Sequence, residues 1–143
     1  MRKLFRKILF KFYRPYCVWV ISRDRTYTYN GLTLKVPKGV FHPGLFFSTG
    51  FLAKELLKLE LKDKEFIEVG CGSGLLSLIA ARAGADVTAI DINPDAVKAT
   101  ATNARTNNLA LQAIESNLFD NIGNKKFDIV AINPPYFKKH PIS

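Results

Sequence analysis

The sequence predicts an α/β fold, a doubly wound parallel sheet preceded by a basic helix and a β-hairpin. From Glu65 onward, apolar segments of strand length alternate with segments of helical periodicity. The charge is also divided: residues 1–40 carry ten Lys or Arg and one acidic residue, whereas residues 41–143 carry eleven of each. The net charge of +9 therefore lies in residues 1–40, which we interpret as an extension of a domain at 41–143.

The extension contains two predicted elements. Apolar residues at positions 4, 5, 8, 9 and 12 share one helical face, with Lys and Arg on the other. This spacing predicts an amphipathic basic helix over residues 2–13, ended by Pro15. Aromatic or aliphatic residues alternate with polar ones on both sides of Asn30-Gly31, a pair that tolerates the positive φ of a tight turn. A β-hairpin is therefore predicted over residues 26–36.

The domain is predicted to contain strands and helices in alternation. The predicted strands cover residues 65–69, 86–92, 111–116 and 127–132. The predicted helices cover residues 51–61, 73–83 and 94–107. Gly84 closes the second helix, and Asn93 caps the third ahead of Pro94. The last strand is almost continuously apolar, as is typical of a parallel strand covered on both faces. Ligands of such sheets bind beyond the carboxyl ends of the strands.

The turn after the first of these strands carries three glycines, Gly70, Gly72 and Gly74. Glycines there allow a ligand to approach the backbone closely, because no Cβ intervenes. The context favours a cofactor loop over a plain glycine-rich turn. A dinucleotide fingerprint would have glycine where this chain has Leu75, so NAD and FAD are disfavoured.

Two carboxylates flank this loop. Asp91 ends the second strand, where its carboxylate could accept hydrogen bonds from two ribose hydroxyls. The alternative is an exposed acid at the end of a strand. Glu68 precedes the loop and could hold backbone N–H groups of the loop, meet an ammonium group of the ligand, or face solvent.

The last predicted strand is followed by the sequence Asn133-Pro134-Pro135-Tyr136. A planar nitrogen delocalises its lone pair, so it must be held and turned before it can attack a methyl group. The side-chain carbonyl of Asn133 and the backbone carbonyl of Pro134 could accept from its two N–H bonds. Consecutive prolines fix the backbone, and Tyr136 could lie flat on a base or an amide. The alternative is a rigid turn without chemistry.

In order, residues 68–74, Asp91 and residues 133–136 resemble the motifs of class I S-adenosylmethionine-dependent methyltransferases, over about residues 40–138. The Asn-Pro-Pro-Tyr motif is similar to that of the small-domain members, which methylate release-factor glutamine or nucleic-acid bases. The resemblance implies a Rossmann-like sheet, incomplete here, with residues 41–143 as the N-terminal part of the catalytic domain. It also implies S-adenosylmethionine (SAM) as cofactor, with no metal.

The resemblance further implies which residues hold this cofactor. Asp91 would bind the ribose hydroxyls, and the glycine loop would bind the methionine end. Asn117 follows the third strand, where the family commonly has an aspartate that accepts from the adenine amino group. An asparagine carbonyl can accept the same bond without charge.

Three functions are compatible with the sequence. The first is methylation of a planar nitrogen, in a protein glutamine or a nucleic-acid base. The second is a catalytically silent, truncated fragment that binds cofactor or RNA, because only residues 133–143 follow the fourth predicted strand. The third is a nicotinamide enzyme, which Leu75 disfavours.

Several surfaces could contact partners. The basic extension could bind RNA or an anionic membrane surface, or pack its apolar face on the domain. Strand 127–132 would lie at the sheet edge, which predicts self-association or pairing with more of a longer protein. Phe41, Phe46 and Phe47 could line a substrate entrance or pack in the core.

The composition indicates a cytoplasmic location. No apolar run approaches the roughly 18 residues of a membrane span, and basic residues interrupt any signal-peptide core. Cys17 and Cys71 are too few for a disulfide framework, so we interpret both as reduced thiols.

Overall fold

The computed structural model describes residues 15–134. Its helices are α1 (residues 15–21), α2 (Phe47–Leu56), α3 (Leu75–Arg82) and α4 (Pro94–Thr106), with a short 3-10 turn at Pro43–Leu45. Its strands are β1 (Arg25–Tyr29), β2 (Leu32–Val36), β3 (Glu65–Val69), β4 (Asp86–Asp91), β5 (Gln112–Glu115) and β6 (Ile129–Ile132). Within these residues no helix is long and apolar enough to cross a membrane.

Four strands form a parallel sheet in the order β5-β4-β3-β6. The chain moves outward from β3 to β5 and then returns to the other side of β3 to form β6. Strand order therefore reverses at β3, and the carboxyl ends of β3, β4 and β6 meet at one edge of the sheet. This arrangement confirms the predicted doubly wound α/β fold and places the predicted ligand edge beside the glycine loop.

Strand β6 is at the edge of the sheet, as predicted. Ile129 and Ala131 pack against the core, whereas Val130 and Ile132 are 50% and 51% exposed. The prediction that both faces of this strand are covered is therefore wrong for the described residues. Within the described residues, this apolar strand therefore has one packed face and one exposed face.

The hairpin forms at the predicted turn. Asn30 and Gly31 have φ values of 46° and 80°, the positive values that a two-residue hairpin turn requires. Leu32 and Leu34 of β2 are buried in the same cluster as Phe66 of β3. The hairpin therefore shares the core of the sheet domain, while the division of the chain at residue 40 stays a prediction.

Two helix boundaries differ from the prediction. Helix α2 begins four residues and ends five residues before the predicted helix at 51–61. Its buried face consists of Thr49, Ala53 and Leu56, so the face depends on a threonine and an alanine that leucine spacing does not reveal. Residues 15–21 are helical, although no helix is predicted there from the sequence. The predicted helix at residues 2–13 lies outside the described residues.

Candidate functional site

The glycine loop connects β3 to α3 and lies against α4. Gly70, Gly72 and Gly74 all have positive φ, at 76°, 55° and 85°. A Cβ on Gly74 would lie 2.8 Å from the side chain of Thr100 in α4, closer than real Cβ contacts allow. Gly74 is therefore required by both its backbone conformation and its close approach to α4.

Asp91 joins the glycine loop to the start of α4. Its Oδ2 accepts from the backbone N–H of Gly72 at 2.9 Å, and its Oδ1 accepts from that of Asn93 at 2.9 Å. Asn93 caps α4 in turn by accepting from the N–H of Asp95, as predicted. Each carboxylate oxygen has a second lone pair, so Asp91 keeps acceptor capacity for a ligand while it orders the loop.

A cavity of about 440 Å³ opens at the carboxyl ends of the strands. Six residues predicted from the sequence line it, namely Gly70, Gly72, Asp91, Asn117, Asn133 and Pro134. Gly74 and Glu68 lie behind the loop, against α4 and α3 respectively. Tyr136 lies outside the described residues. The cavity therefore brings most of the predicted cofactor and catalytic residues to one place.

Asn117 lines this cavity. Its side chain is exposed, and its Nδ2 donates to Oδ2 of Asp120 at 3.3 Å. This bond leaves the carbonyl Oδ1 for another donor. The geometry is compatible with the predicted contact to an adenine amino group, which stays a prediction.

Glu68 is 5% exposed, so the solvent-facing alternative is wrong. Its carboxylate accepts from both the N–H and the hydroxyl of Ser77 in the first turn of α3. The residue before α3 is Gly74, which has no capping side chain, so Glu68 performs the capping from the preceding strand. Burial raises the pKa of Glu68 from 4.5 to about 7, against the opposing effect of the two bonds from Ser77.

This pKa predicts a specific pH dependence of stability. Between pH 4.5 and about 7 the folded protein holds the Glu68 proton more tightly than the unfolded chain does, so stability decreases as pH rises through this window. The contribution is at most about 3 kcal/mol. Urea unfolding of Glu68→Gln and of wild type at pH 5 and pH 8 is expected to show a smaller pH-dependent loss in the variant. Identical losses in the two proteins would contradict the prediction.

Asn133 is held by a residue that sequence reasoning missed. Its Nδ2 donates to Oγ1 of Thr49 in α2 at 2.8 Å, across 84 positions of chain. Thr49 is 4% exposed and, with Asn133 and Glu68, lines a second cavity of about 20 Å³, the size of one or two water molecules. The sequence carries no local signal for this pair, because the contact depends on how α2 packs against the end of β6.

The phenylalanines before α2 differ in environment. Phe41 lines both cavities and stacks on Phe46 with ring centroids 4.6 Å apart. Phe47 is 91% exposed. Phe41 therefore combines packing with a place at the site, whereas Phe47 takes no part in the core.

Comparison with known proteins agrees with this geometry. Residues 31–142 match the model of the family described as methyltransferase small domain. The chain belongs to the methyltransferase small-domain family. Membership confirms the resemblance inferred from the glycine loop, Asp91 and the Asn-Pro-Pro-Tyr motif.

Two relatives illustrate how similar this chain is in sequence to other methyltransferases. A candidate protein N5-glutamine methyltransferase of Methanocaldococcus jannaschii is 39% identical over 107 residues, which are 74% of this chain and 52% of the relative. A release factor glutamine methyltransferase of Fusobacterium nucleatum is 34% identical over 115 residues, 76% of this chain and 32% of the relative. The chain thus spans about half the length of the first relative and a third of the second.

Solved structures show the same fold. A 16S rRNA methyltransferase of T. thermophilus, in complex with AdoMet and guanosine, has a TM-score of 0.70 and 26% identity over 82% of this chain and 34% of its own. A tRNA methyltransferase of M. jannaschii has a TM-score of 0.67 and 26% identity over 81% of this chain and 35% of its own. The class I methyltransferase fold predicted from the sequence is confirmed.

Proposed function

We propose that this chain forms the cofactor-binding and catalytic-motif part of a SAM-dependent N-methyltransferase that acts on a planar nitrogen. The observation that carries this proposal is the position of Asn133. Asn133 lines the same cavity as the glycine loop and Asp91, and its side-chain amide donates to Thr49. A polar group that can grip a planar nitrogen therefore lies beside the site that fits the cofactor.

The described residues fit SAM. The cavity, at about 440 Å³, lies within the roughly 300–1,000 Å³ of small-molecule sites. Asp91 would hold the ribose hydroxyls, and Asn117 Oδ1 would accept from the adenine amino group. Ile92 and Leu118 line the cavity although they are 68% and 62% exposed, and they offer apolar surface to a planar ring.

Catalysis would depend mainly on positioning. When bound, SAM supplies a methyl group on a positively charged sulfur. Because Thr49 takes the Nδ2 side of Asn133, the Oδ1 carbonyl is left for an N–H of the acceptor. The backbone carbonyl of Pro134 would take the second N–H, and Tyr136 would cover the acceptor plane. Two acceptors turn the nitrogen lone pair out of conjugation and toward the methyl group.

The acceptor class is a protein glutamine or a nucleic-acid base. The named relatives include a release factor glutamine methyltransferase and a 16S rRNA methyltransferase, and both kinds of substrate carry a planar nitrogen. Release factors and ribosomal RNA are cytoplasmic, which supports a cytoplasmic location.

One experiment tests the function directly. The chain is titrated with SAM and with NAD, and then incubated with methyl-labelled SAM and release factor, transfer RNA, ribosomal RNA or DNA. We expect the chain to bind SAM and to transfer the labelled methyl group to one of these acceptors. We expect no binding of NAD. SAM binding without transfer would favour the silent fragment, and equal binding of NAD would overturn the cofactor.

The extension offers a surface for RNA. Trp19 is 47% exposed, and the guanidinium group of the exposed Arg23 lies 5.7 Å from its ring centroid. In sequence, Trp19 and Arg23 follow the six Lys and Arg residues of positions 1–14. RNA affinity is expected to fall roughly 10- to 1,000-fold between about 50 and 200 mM salt, and to vanish when residues 1–14 are deleted. An affinity that ignores salt or survives the deletion would favour a helix that packs on the domain.

Strand β6 offers a second surface. Its outer edge carries backbone groups that pair with no other strand in the described residues, beside the exposed side chains of Val130 and Ile132. We expect the isolated chain to self-associate through this edge. In light scattering, Val130→Lys should shift the protein to monomer, while Leu59→Lys, at an equally exposed leucine after α2, should not. A wild-type monomer with slow hydrogen exchange at residues 127–133 would contradict this expectation.

A further inference from the structure

Asn103 of α4 and Asn107, the residue that caps the C-terminus of α4, bind the outer edge of the hairpin. Asn107 accepts from the N–H of Thr33 at 3.0 Å and donates to its carbonyl at 2.8 Å. Asn103 likewise accepts from the N–H of Lys35 at 2.8 Å and donates to its carbonyl at 2.9 Å. Residues two apart in a strand and four apart in a helix are both separated by about 6 to 7 Å, so the spacings match. Side-chain amides therefore take the place of a neighbouring strand along β2.

Asn103 also binds the glycine loop. Its Nδ2 donates to the backbone carbonyl of Ser73 at 2.9 Å, and the residue is completely buried. All the side-chain polar atoms of Asn103 are hydrogen-bonded: Oδ1 accepts from one N–H, and the two N–H bonds of Nδ2 donate to two carbonyls. A flipped amide would point Oδ1 at both carbonyls, so the contacts determine a single orientation.

The loop is held by α4 at a second point. One helical turn before Asn103, the hydroxyl of Thr100 donates to the carbonyl of Gly72 at 3.2 Å. Two consecutive carbonyls of the loop thus point toward α4. Because the N–H and C=O of a trans peptide point in opposite directions, the N–H of Ser73 points away from α4. Ser73 also lines the small cavity that contains Glu68 and Asn133.

We propose that Asn103 is a positioning residue for the cofactor, through which the hairpin orders the glycine loop. Asn103 joins the backbone of β2 to the backbone of the loop, so the hairpin is a structural part of the cofactor site. A loop ordered before binding loses less conformational entropy when a ligand arrives. The identity of the ligand rests on the proposed function, whereas the ordering of the loop does not.

Asn107 provides the matched control. It makes the same two bonds to β2 as Asn103, but its third bond goes to the carbonyl of Asn103 and not to the loop. Asn103→Ala and Asn107→Ala therefore both weaken the hairpin contact, and only the first releases the loop. Both are made in the 143-residue chain, and folding is checked by circular dichroism.

Two measurements are made on these variants. The first is SAM affinity by calorimetry, and the second is hydrogen exchange of residues 70–75 without ligand. Asn103→Ala is expected to weaken SAM binding by roughly tenfold or more and to speed exchange in the loop. Asn107→Ala is expected to leave both within about threefold of wild type. Equal effects of the two variants, or no effect of either, would overturn the proposal.

A second pair of variants decides the question if Asn103→Ala does not fold. Lys35→Pro removes the N–H that Asn103 accepts from, and Thr33→Pro removes the N–H that Asn107 accepts from. Both side chains are exposed, and both N–H groups face these asparagines and not β1, so either proline removes no hydrogen bond between β1 and β2. Faster loop exchange in Lys35→Pro alone supports the proposal, and equal exchange in the two overturns it. If wild type fails to bind SAM, the proposed function fails, while loop exchange still tests the role of Asn103.

Discussion

Replacing Asn133 by alanine is expected to lower methyl transfer by on the order of 10² or more while leaving SAM affinity nearly unchanged. The Asn133 carbonyl would hold the acceptor nitrogen, and this contact contributes most when the nitrogen lone pair has turned toward the methyl group. The rate is measured as single-turnover transfer of a labelled methyl group, and the SAM affinity is measured by calorimetric titration. Turnover equal to wild type would remove Asn133 from the mechanism.

Variants of Thr49 separate positioning from folding in the same assay. Thr49→Val keeps the shape of this buried side chain and removes the oxygen that accepts from Asn133. It is expected to reduce the rate by roughly tenfold, because the amide of Asn133 loses its orientation. Thr49→Ser keeps the oxygen and should restore most of the rate. A valine variant with wild-type turnover would show that the Asn133 amide is oriented by other contacts.

Replacing Asp91 by alanine is expected to weaken SAM binding by roughly 1 to 3 kcal/mol, the contribution of a charge-assisted hydrogen bond. Asp91→Ala loses the ribose acceptor and also leaves the N–H groups of Gly72 and Asn93 without their partner. Asp95→Ala removes the same charge from an exposed position in the first turn of α4 and should bind SAM like wild type.

Asp91→Asn distinguishes the two roles of this residue. The asparagine keeps one carbonyl oxygen for one of the two backbone N–H groups, places its NH2 group opposite the other, and lacks the negative charge that favours the ribose hydroxyls. SAM binding weaker than wild type, with thermal stability close to wild type, would assign the effect to the ribose contact. Wild-type affinity in both Asp91 variants would contradict the assignment of Asp91 to the cofactor.

The cofactor side of the site was more predictable than the catalytic side. Gly70, Gly72 and Asp91 each occur at a strand end, and parallel strands bring their carboxyl ends to one edge, so their proximity follows from the predicted fold alone. The orientation of Asn133 depends instead on Thr49, which comes from a helix whose buried face was not recognised. A threonine on a buried helical face has no signature in hydrophobic periodicity.

The sequence by itself determined the features that depend on neighbouring residues. The positive φ values at Asn30-Gly31, the Asn93 cap with Pro94, and the glycine loop after β3 are all properties of short segments. Doubly wound α/β topology also followed, because alternating strands and helices allow few arrangements of a parallel sheet.

Only the tertiary structure decided the contacts between distant segments. Glu68 became a buried cap of α3 with a raised pKa, although in sequence it could equally face solvent. Asn103 became a link between the hairpin and the glycine loop, although in sequence it is one polar residue of a helix. In each case a polar side chain entered the core because backbone groups there needed a partner, and which groups lacked one is determined only when the elements pack together.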